Sequence, residues 1–130
     1  MEVWRKKLIE SLPDLLRKEE IESETIYTIF MELTAKCEKA HDRGDQVVLS
    51  KIYDFAAWCA RREEKDLWNA AGVGFYEHIV DHPIALREIP RWVPPDVFYE
   101  ISGLLQWRMG HKAFFELSAR YEKDRLKATK

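Results

Sequence analysis

The chain has 130 residues, of which 46% are hydrophobic and 34% charged, and its formal net charge is −2. This length suits one domain with its own core, and the hydrophobic fraction excludes a disordered chain. Because acidic and basic residues nearly balance, the chain lacks the basic character of a dedicated nucleic-acid binder, so no nucleic-acid partner is expected.

Cysteine content and hydropathy indicate where the protein resides. Cys37 and Cys59 are too few for a disulfide framework, which suits a reducing compartment. No apolar run approaches the roughly 20 residues that span a bilayer, and the first residues lack the apolar segment of a secretory signal. We therefore expect a cytoplasmic protein with no membrane partner and no cofactor.

The N-terminal segment combines an amphipathic stretch with a charged one. Trp4, Leu8 and Leu12 recur every four residues and predict a helix that ends near Pro13. The charged run over residues 17–24 is expected to be solvated, with Ser23 as the N-cap of the next helix.

Two long helices joined by a short turn are predicted next. Apolar residues recur at helical spacing over residues 26–40 and again over 48–59, with Gly44 ending the first helix. So short a turn predicts an antiparallel hairpin. In that hairpin Cys37 and Cys59 lie at levels too far apart for a disulfide, so both are expected to be free thiols.

A fourth helix is predicted from Leu67 to Asp81. Gly72 and Gly74 lie inside it, and each costs about 1 kcal/mol relative to alanine. Close approach of a neighbouring helix or a kink would explain them. Tryptophans on the apolar faces of the predicted helices are expected in the core, and these are Trp4, Trp58, Trp68 and Trp107.

The C-terminal third begins with a proline-rich connector. The run Pro90-Arg91-Trp92-Val93-Pro94-Pro95 is predicted to be rigid and non-helical. A helix follows Pro95 and is broken by Gly110, and a last helix begins near Phe114. Residues 123–130 are basic and are expected to form a frayed tail.

The periodicity of the whole chain is helical, and no segment shows the sustained alternation of a strand. We therefore predict an all-α single domain over residues 1–130 with five to seven helices. Successive antiparallel hairpins would form either a small bundle or a HEAT-like stack, and the sequence leaves both architectures open.

Trp92 and Arg91 are the candidate binding residues. Tryptophan and arginine are enriched at the energetic centres of protein interfaces. A connector stiffened by three prolines loses little conformational entropy on binding. The alternative is that Trp92 folds back to cover the ends of neighbouring helices.

His78 and His82 are the candidate metal ligands. They lie four residues apart, one turn along the predicted fourth helix, as two zinc ligands on a helix would. Glutamate precedes the first histidine, so the HExxH motif of metalloproteases is not present. No third ligand can be nominated, and the alternative is that His82 interacts with the dipole at the helix end.

No set of residues indicates catalysis. The serines lie outside known nucleophile motifs, neither cysteine opens a helix, and Gly72-Val73-Gly74 does not follow a strand as a phosphate-binding loop would. An enzymatic role would need a geometry that the sequence does not show.

One segment resembles a family of small, uncharacterised bacterial all-α proteins. The similarity lies in an alanine–tryptophan–cysteine helix followed by a helix that ends in a Phe-Tyr-Glu-His pattern. The residues that carry it are Ala57-Trp58-Cys59-Ala60 and Leu67-Trp68-Asn69-Ala70-Ala71-Gly72-Val73-Gly74-Phe75-Tyr76-Glu77-His78-Ile79. Some such proteins look like immunity or accessory proteins of toxin systems, so the resemblance implies a protein partner.

These features lead to two predictions of function. The first is a cytoplasmic protein-interaction module, of immunity or accessory type, which acts by covering the surface of a partner. The alternative is a small-ligand or metal-binding protein that uses the helix face of His78 and His82. An exposed apolar patch around Trp92 would favour the first, and stoichiometric metal would favour the second.

Overall fold

The computed structural model describes residues 1–128 as helices joined by short turns, without a strand in that range. The all-α prediction is confirmed, with more helical segments than the five to seven expected. The helices are α1 (Val3–Ser11), α2 (Lys18–Ser23), α3 (Ile26–Arg43), α4 (Gln46–Ala60), α5 (Lys65–Ala71), α6 (Glu77–Ile79), α7 (Pro83–Trp92), α8 (Pro95–Met109) and α9 (His111–Ala128), with a π-helical segment Gly72–Tyr76 between α5 and α6. None of the described helices combines the length and apolar character needed to cross a membrane.

The charged run before α3 differs from the prediction. It forms the short helix α2, which buries Ile21, and Ser23 is the last residue of that helix. The N-cap of α3 is Thr25, whose hydroxyl accepts a hydrogen bond from the N–H of Thr28 at 3.1 Å. A threonine two residues further on serves as well as Ser23, because either hydroxyl can satisfy a free N–H group.

The predicted hairpin of α3 and α4 is present. Gly44 ends α3 in a left-handed conformation with φ of +67°, and the carboxylate of Asp45 caps α4. Cys37 and Cys59 are both buried free thiols, as the register of the hairpin predicts.

Helix α3 is the centre of the molecule. It packs against α4, α5, the π-helical segment, α6 and α7. Because it meets elements far along the chain, the architecture is a bundle around α3, and not a stack in which each hairpin meets only its neighbours. The ring of Phe30 on α3 lies 5.7 Å from that of Phe55 and 5.8 Å from that of Phe75.

The two glycines of the fourth predicted helix lie in the π-helical segment. A Cβ added to Gly72 would lie 3.2 Å from Leu104 Cδ2, and one added to Gly74 would lie 3.4 Å from Phe30 Cβ. The expectation of close approach is confirmed, since α8 and α3 lie next to these glycines, and the helix is π-helical at this point. The helix ends at Ile79, two residues earlier than predicted.

The prediction of a non-helical connector at residues 90–95 is wrong for its first half. Helix α7 continues through Pro90 to Trp92, and only Val93 and Pro94 separate it from α8. A proline inside a helix removes the N–H that would pair with the carbonyl four residues earlier. For Pro90 that carbonyl belongs to Leu86.

Helix α9 supplies the missing donors. Arg120 Nη2 donates to the carbonyl of Leu86 at 2.9 Å. The carbonyl of Pro90 would pair with residue 94, which is also a proline, and Arg125 Nη1 donates to it instead at 3.1 Å. Thus two arginines of α9 satisfy the carbonyls that two prolines leave unpaired.

Helix α9 includes most of the basic C-terminal segment. It runs to Ala128, so residues 123–128 are helical, and residues 129–130 lie outside the described range. Trp68 is 44% exposed and Trp107 74% exposed, so neither is a core residue as predicted. Trp107 follows the buried Leu105 by two residues, and such positions face opposite sides of a helix.

Arg120→Met and Arg125→Met are each expected to lower the free energy of unfolding by about 1 kcal/mol, because each leaves a helix carbonyl without its donor. Urea denaturation of the two variants measures this. Lys123→Met is the control, since Lys123 is an exposed residue of the same helix, and it should be close to neutral. Equal stability of all three variants would contradict the role given to these arginines.

Two glycine substitutions should have opposite effects. Gly103 lies inside α8 with nothing within 4 Å of an added Cβ, so Gly103→Ala is expected to stabilise by about 0.5–1 kcal/mol. Gly110 has φ of +88°, so Gly110→Ala should destabilise by about 1 kcal/mol or more. Thermal unfolding measures both. A stabilising Gly110→Ala would show that the bend between α8 and α9 does not depend on glycine.

Candidate functional site

A groove along the exposed face of α4 is the candidate site, and we call it the α4 groove. It has a volume of about 560 Å³. Helix α1 forms one side of it, and the end of α7 with the following connector forms the other. Its lining residues are Lys7, Ser11, Lys51, Tyr53, Asp54, Ala57, Trp58, Arg61, Arg62, Trp92 and Pro94.

The groove continues toward the N-terminal end of α4. A shallower depression of about 420 Å³ adjoins it and shares Lys51 and Trp92 with it. Its other lining residues are Gln46, Val47 and Ser50, all from the first turns of α4. Trp92 therefore stands between two parts of one continuous surface.

Cationic side chains dominate the lining. Arg61 is held by Asp96 through two hydrogen bonds of 2.8 and 2.9 Å, and Arg62 is held by Glu64 at 3.0 and 2.8 Å. Lys7 and Lys51 form no ion pair with any of the described residues. Two ammonium groups are thus free to receive carboxylates from outside.

The two tryptophans of the groove are held in place by ring stacking. The Trp92 ring lies 5.7 Å from that of Tyr53 at an interplanar angle of 9°. The Trp58 ring lies 6.1 Å from that of Phe55 at 16°, and the Arg62 guanidinium lies 4.9 Å from the centre of the Trp58 ring. Rings fixed in this way lose little freedom when a partner covers them.

A buried polar network lies directly beneath Trp92. His41 is 3% exposed, and its Nε2 lies 2.8 Å from the hydroxyl of Tyr53. His41 Nδ1 lies 3.5 Å from Oε1 of Glu88 and has no hydrogen-bond partner among residues 1–128. The same Glu88 oxygen accepts a hydrogen bond from Trp92 Nε1 at 2.9 Å. Two contacts therefore hold Trp92, a hydrogen bond to the Glu88 carboxylate and ring stacking on Tyr53.

Burial sets the protonation states of this network. Desolvation lowers the pKa of His41, and the nearby Glu88 carboxylate opposes this only in part. Burial also raises the pKa of the Cys37 thiol to about 12 and that of the Tyr53 hydroxyl well above its usual value. At neutral pH all three groups are uncharged, so neither Cys37 nor Tyr53 is an activated nucleophile.

Of the two predicted binding residues, Trp92 lines the groove and Arg91 stands next to it. Arg91 is exposed, with its guanidinium 4.8 Å from the centre of the Trp92 ring, and it donates to Gln46 Oε1 at 2.6 Å. Trp92 is half-buried at the end of α7 and lines the α4 groove. The ring both packs on the core and forms part of an accessible surface, so the two alternatives weighed from sequence are combined here.

The predicted metal ligands have separate positions. His78 is exposed on α6, whereas His82 follows that helix and caps α7, with its Nδ1 accepting from the Ala85 N–H at 3.3 Å. His82 Nε2 lies 3.0 Å from Asp42 Oδ1. A metal at this pair would have to break one of these bonds. Within residues 1–128 no group of three or more His, Cys, Asp or Glu side chains is placed to hold a metal ion.

Sequence reasoning missed Lys51 and the buried contacts of His41, and it placed Trp58 in the core, whereas Trp58 is half-buried and lines the groove. A signal existed for Lys51 and Trp58, because these residues and Asp54 recur at three- and four-residue steps on the face of α4 opposite to its apolar residues. A tryptophan among charges on an exposed helix face indicates a binding surface. His41 gave no such signal, because its partners Tyr53 and Glu88 come from two other helices.

The stability of the protein should fall as the pH drops below about 6.5, the ordinary pKa of histidine. Below that pH the unfolded chain protonates His41, whereas the folded chain resists protonation because its pKa is lowered. His41 faces Asp42 on its own helix, Tyr53 on α4, Glu88 on α7, and His82.

Urea denaturation between about pH 7.5 and pH 5.5 tests this. His41→Gln cannot titrate there, so its stability should vary less with pH than that of the wild type. His78→Gln removes an exposed imidazole and is the matched control, expected to follow the wild-type profile. Identical pH profiles for His41→Gln and wild type would show that burial does not hold His41 neutral.

Comparison with known protein families gives a match over most of the chain. Residues 5–108 match the model of a family described as Domain of unknown function (DUF7674). The matched range includes the α4 groove and the buried network, and it ends at the last turn of α8. No match was found among curated proteins or among solved structures.

Proposed function

We propose that this chain, which belongs to the DUF7674 family, is a protein-interaction module that binds a protein partner in the α4 groove. One observation carries the proposal: two tryptophans fixed by stacking flank cations that have no carboxylate partner of their own, in an open groove of about 560 Å³. Aromatic anchors surrounded by charge are the usual composition of an interface centre.

The partner would be bound by two kinds of contact. Trp92 and Trp58 are half-buried, and the apolar parts of their rings that remain accessible in the groove can be covered by a side chain of the partner, which removes apolar area from water. Lys7, Lys51 and Arg91 around them offer charge-assisted hydrogen bonds to carboxylates. Since these cations are partly solvated, they favour fast association more than tight binding, and the tryptophans supply most of the affinity.

The buried network supports this function by positioning Trp92. His41 Nδ1 is a buried nitrogen without a close hydrogen bond, and its nearest polar neighbour is the Glu88 carboxylate at 3.5 Å. Here the atom lies beside the carboxylate that holds Trp92 Nε1. An immunity-type role, which the sequence resemblance implies, is one form that such binding would take, with the groove covering a partner's active surface.

Photo-crosslinking in cells of the source organism tests the proposal. A crosslinking residue at Val47, 65% exposed beside Trp92, should give a discrete protein adduct. The same residue at Phe115, 62% exposed on α9, is the control and should not. The adduct should decrease at least about tenfold with Trp92→Ala and remain with Trp107→Ala, which removes an exposed tryptophan outside the groove.

Two results would overturn the proposal. Adducts of equal yield from Val47 and Phe115 would show contact without site preference. An adduct at Val47 that survives Trp92→Ala, in a variant whose circular dichroism and thermal unfolding show an intact fold, would place the binding energy elsewhere.

A further inference from the structure

The length of the surface along α4 limits what can occupy it. From Val47 to Arg61 the helix advances about 21 Å at 1.5 Å per residue. An extended chain covers that distance in about six residues. We call the α4 groove together with its adjoining depression the trough. A small-molecule site encloses most of its ligand, whereas the trough is open along its length. Its dimensions therefore suit a segment of polypeptide.

The free charges around the trough are mostly positive and come from three elements. Lys7 lies on α1, Lys51 on α4 and Arg91 on α7, and within the described range none of them forms an ion pair. Asp54 is the one described carboxylate that lines the trough. Cations on separate elements that converge on one groove attract an anionic ligand whose charges are spread along its length.

Apolar surface lies between these cations. Trp92 is shared by both parts of the trough, and the exposed side chain of Val47 stands beside it. A ligand that carried charge alone would leave these surfaces uncovered. The complementary ligand therefore has an apolar or aromatic side chain between acidic ones.

From this geometry we infer that the α4 groove takes an acidic, extended segment of a partner protein, about six residues long, with an apolar side chain between its carboxylates. The inference rests on the proposed function and names the chemistry of the partner. Carboxylates of the segment pair with Lys7, Lys51 and Arg91, and its apolar side chain lies on Trp92.

Nucleic acid is the other anionic polymer to consider, and the charges disfavour it. The chain carries a net charge of −2, so a polyanion is not attracted to the molecule as a whole. Arg61 and Arg62, which would be the natural phosphate ligands in the groove, are each bound by two hydrogen bonds to a carboxylate of this chain.

Fluorescence anisotropy with labelled synthetic peptides tests the inference. The probe has about eight residues, alternating glutamate with leucine and phenylalanine, and the comparison probes replace its glutamates by lysine or its apolar residues by serine. The acidic apolar peptide should bind the full chain, and binding should weaken at least about tenfold when salt rises from about 50 to 500 mM.

Matched variants place the binding site. Lys51→Glu and Trp92→Ala should each weaken the Kd of the acidic peptide at least about tenfold, since each removes one kind of contact. Lys112→Glu, the same charge reversal on exposed α9, and Trp107→Ala should leave it within about twofold. Lys51→Glu is a surface change, so it keeps the test valid if Trp92→Ala does not fold.

Each remaining outcome overturns the inference. It fails if the acidic peptide does not bind, if the lysine peptide binds as well, if Lys112→Glu weakens binding as much as Lys51→Glu, or if labelled oligo-dT binds more tightly. A groove-specific adduct in cells without peptide binding would refute only the linear acidic segment. If neither the groove-specific adduct nor binding of the acidic peptide were observed, the proposed function would be refuted as well.

Discussion

Tyr53 joins the α4 groove to the core of the protein. Its buried ring lies 5.5 Å from Phe75 of the π-helical segment, 5.7 Å from His41 of α3 and 5.7 Å from Trp92 of α7. One side chain of α4 thus contacts three other elements, and its hydroxyl is paired with the only nitrogen of His41 that has a hydrogen bond within residues 1–128. Any shift of α7 relative to the α3–α4 hairpin would break this set of contacts.

The end of α7 is fixed from the other side by α9. The helix passes through Pro90 because Arg120 and Arg125 replace the donors that Pro90 and Pro94 lack. Helix α9 adds two more bonds to this segment, from Arg120 Nη1 to the carbonyl of Arg87 at 2.7 Å and from the Tyr121 hydroxyl to the carbonyl of Val93 at 2.5 Å. Trp92 is therefore the last residue of a supported helix, which is a more rigid position than the proline-rich loop that the sequence predicted.

The α4 groove combines features that fold stability alone does not require. A core of this size could bury an apolar residue in place of His41, without the desolvation of a titratable ring. The network instead places Glu88 under Trp92, while Lys7 and Lys51 stay without carboxylate partners. A rigid aromatic anchor with unpaired cations beside it is an arrangement suited to binding, which is why we assign the function to this face.

The sequence by itself determined the all-α class, the α3–α4 hairpin with its Gly44 turn and the free thiols. These depend on periodicity and on residues close in the chain, which a linear pattern records. Only the tertiary structure decided that α7 continues through Pro90, because the donor that makes this possible is Arg120 of α9. It also decided that Trp107 is exposed and that both nitrogens of His82 form hydrogen bonds, because packing sets which side of α8 is buried and brings Asp42 to His82. The His41–Tyr53–Glu88 network and the groove beside it form where α3, α4 and α7 pack together. No local sequence pattern specifies how these three helices pack.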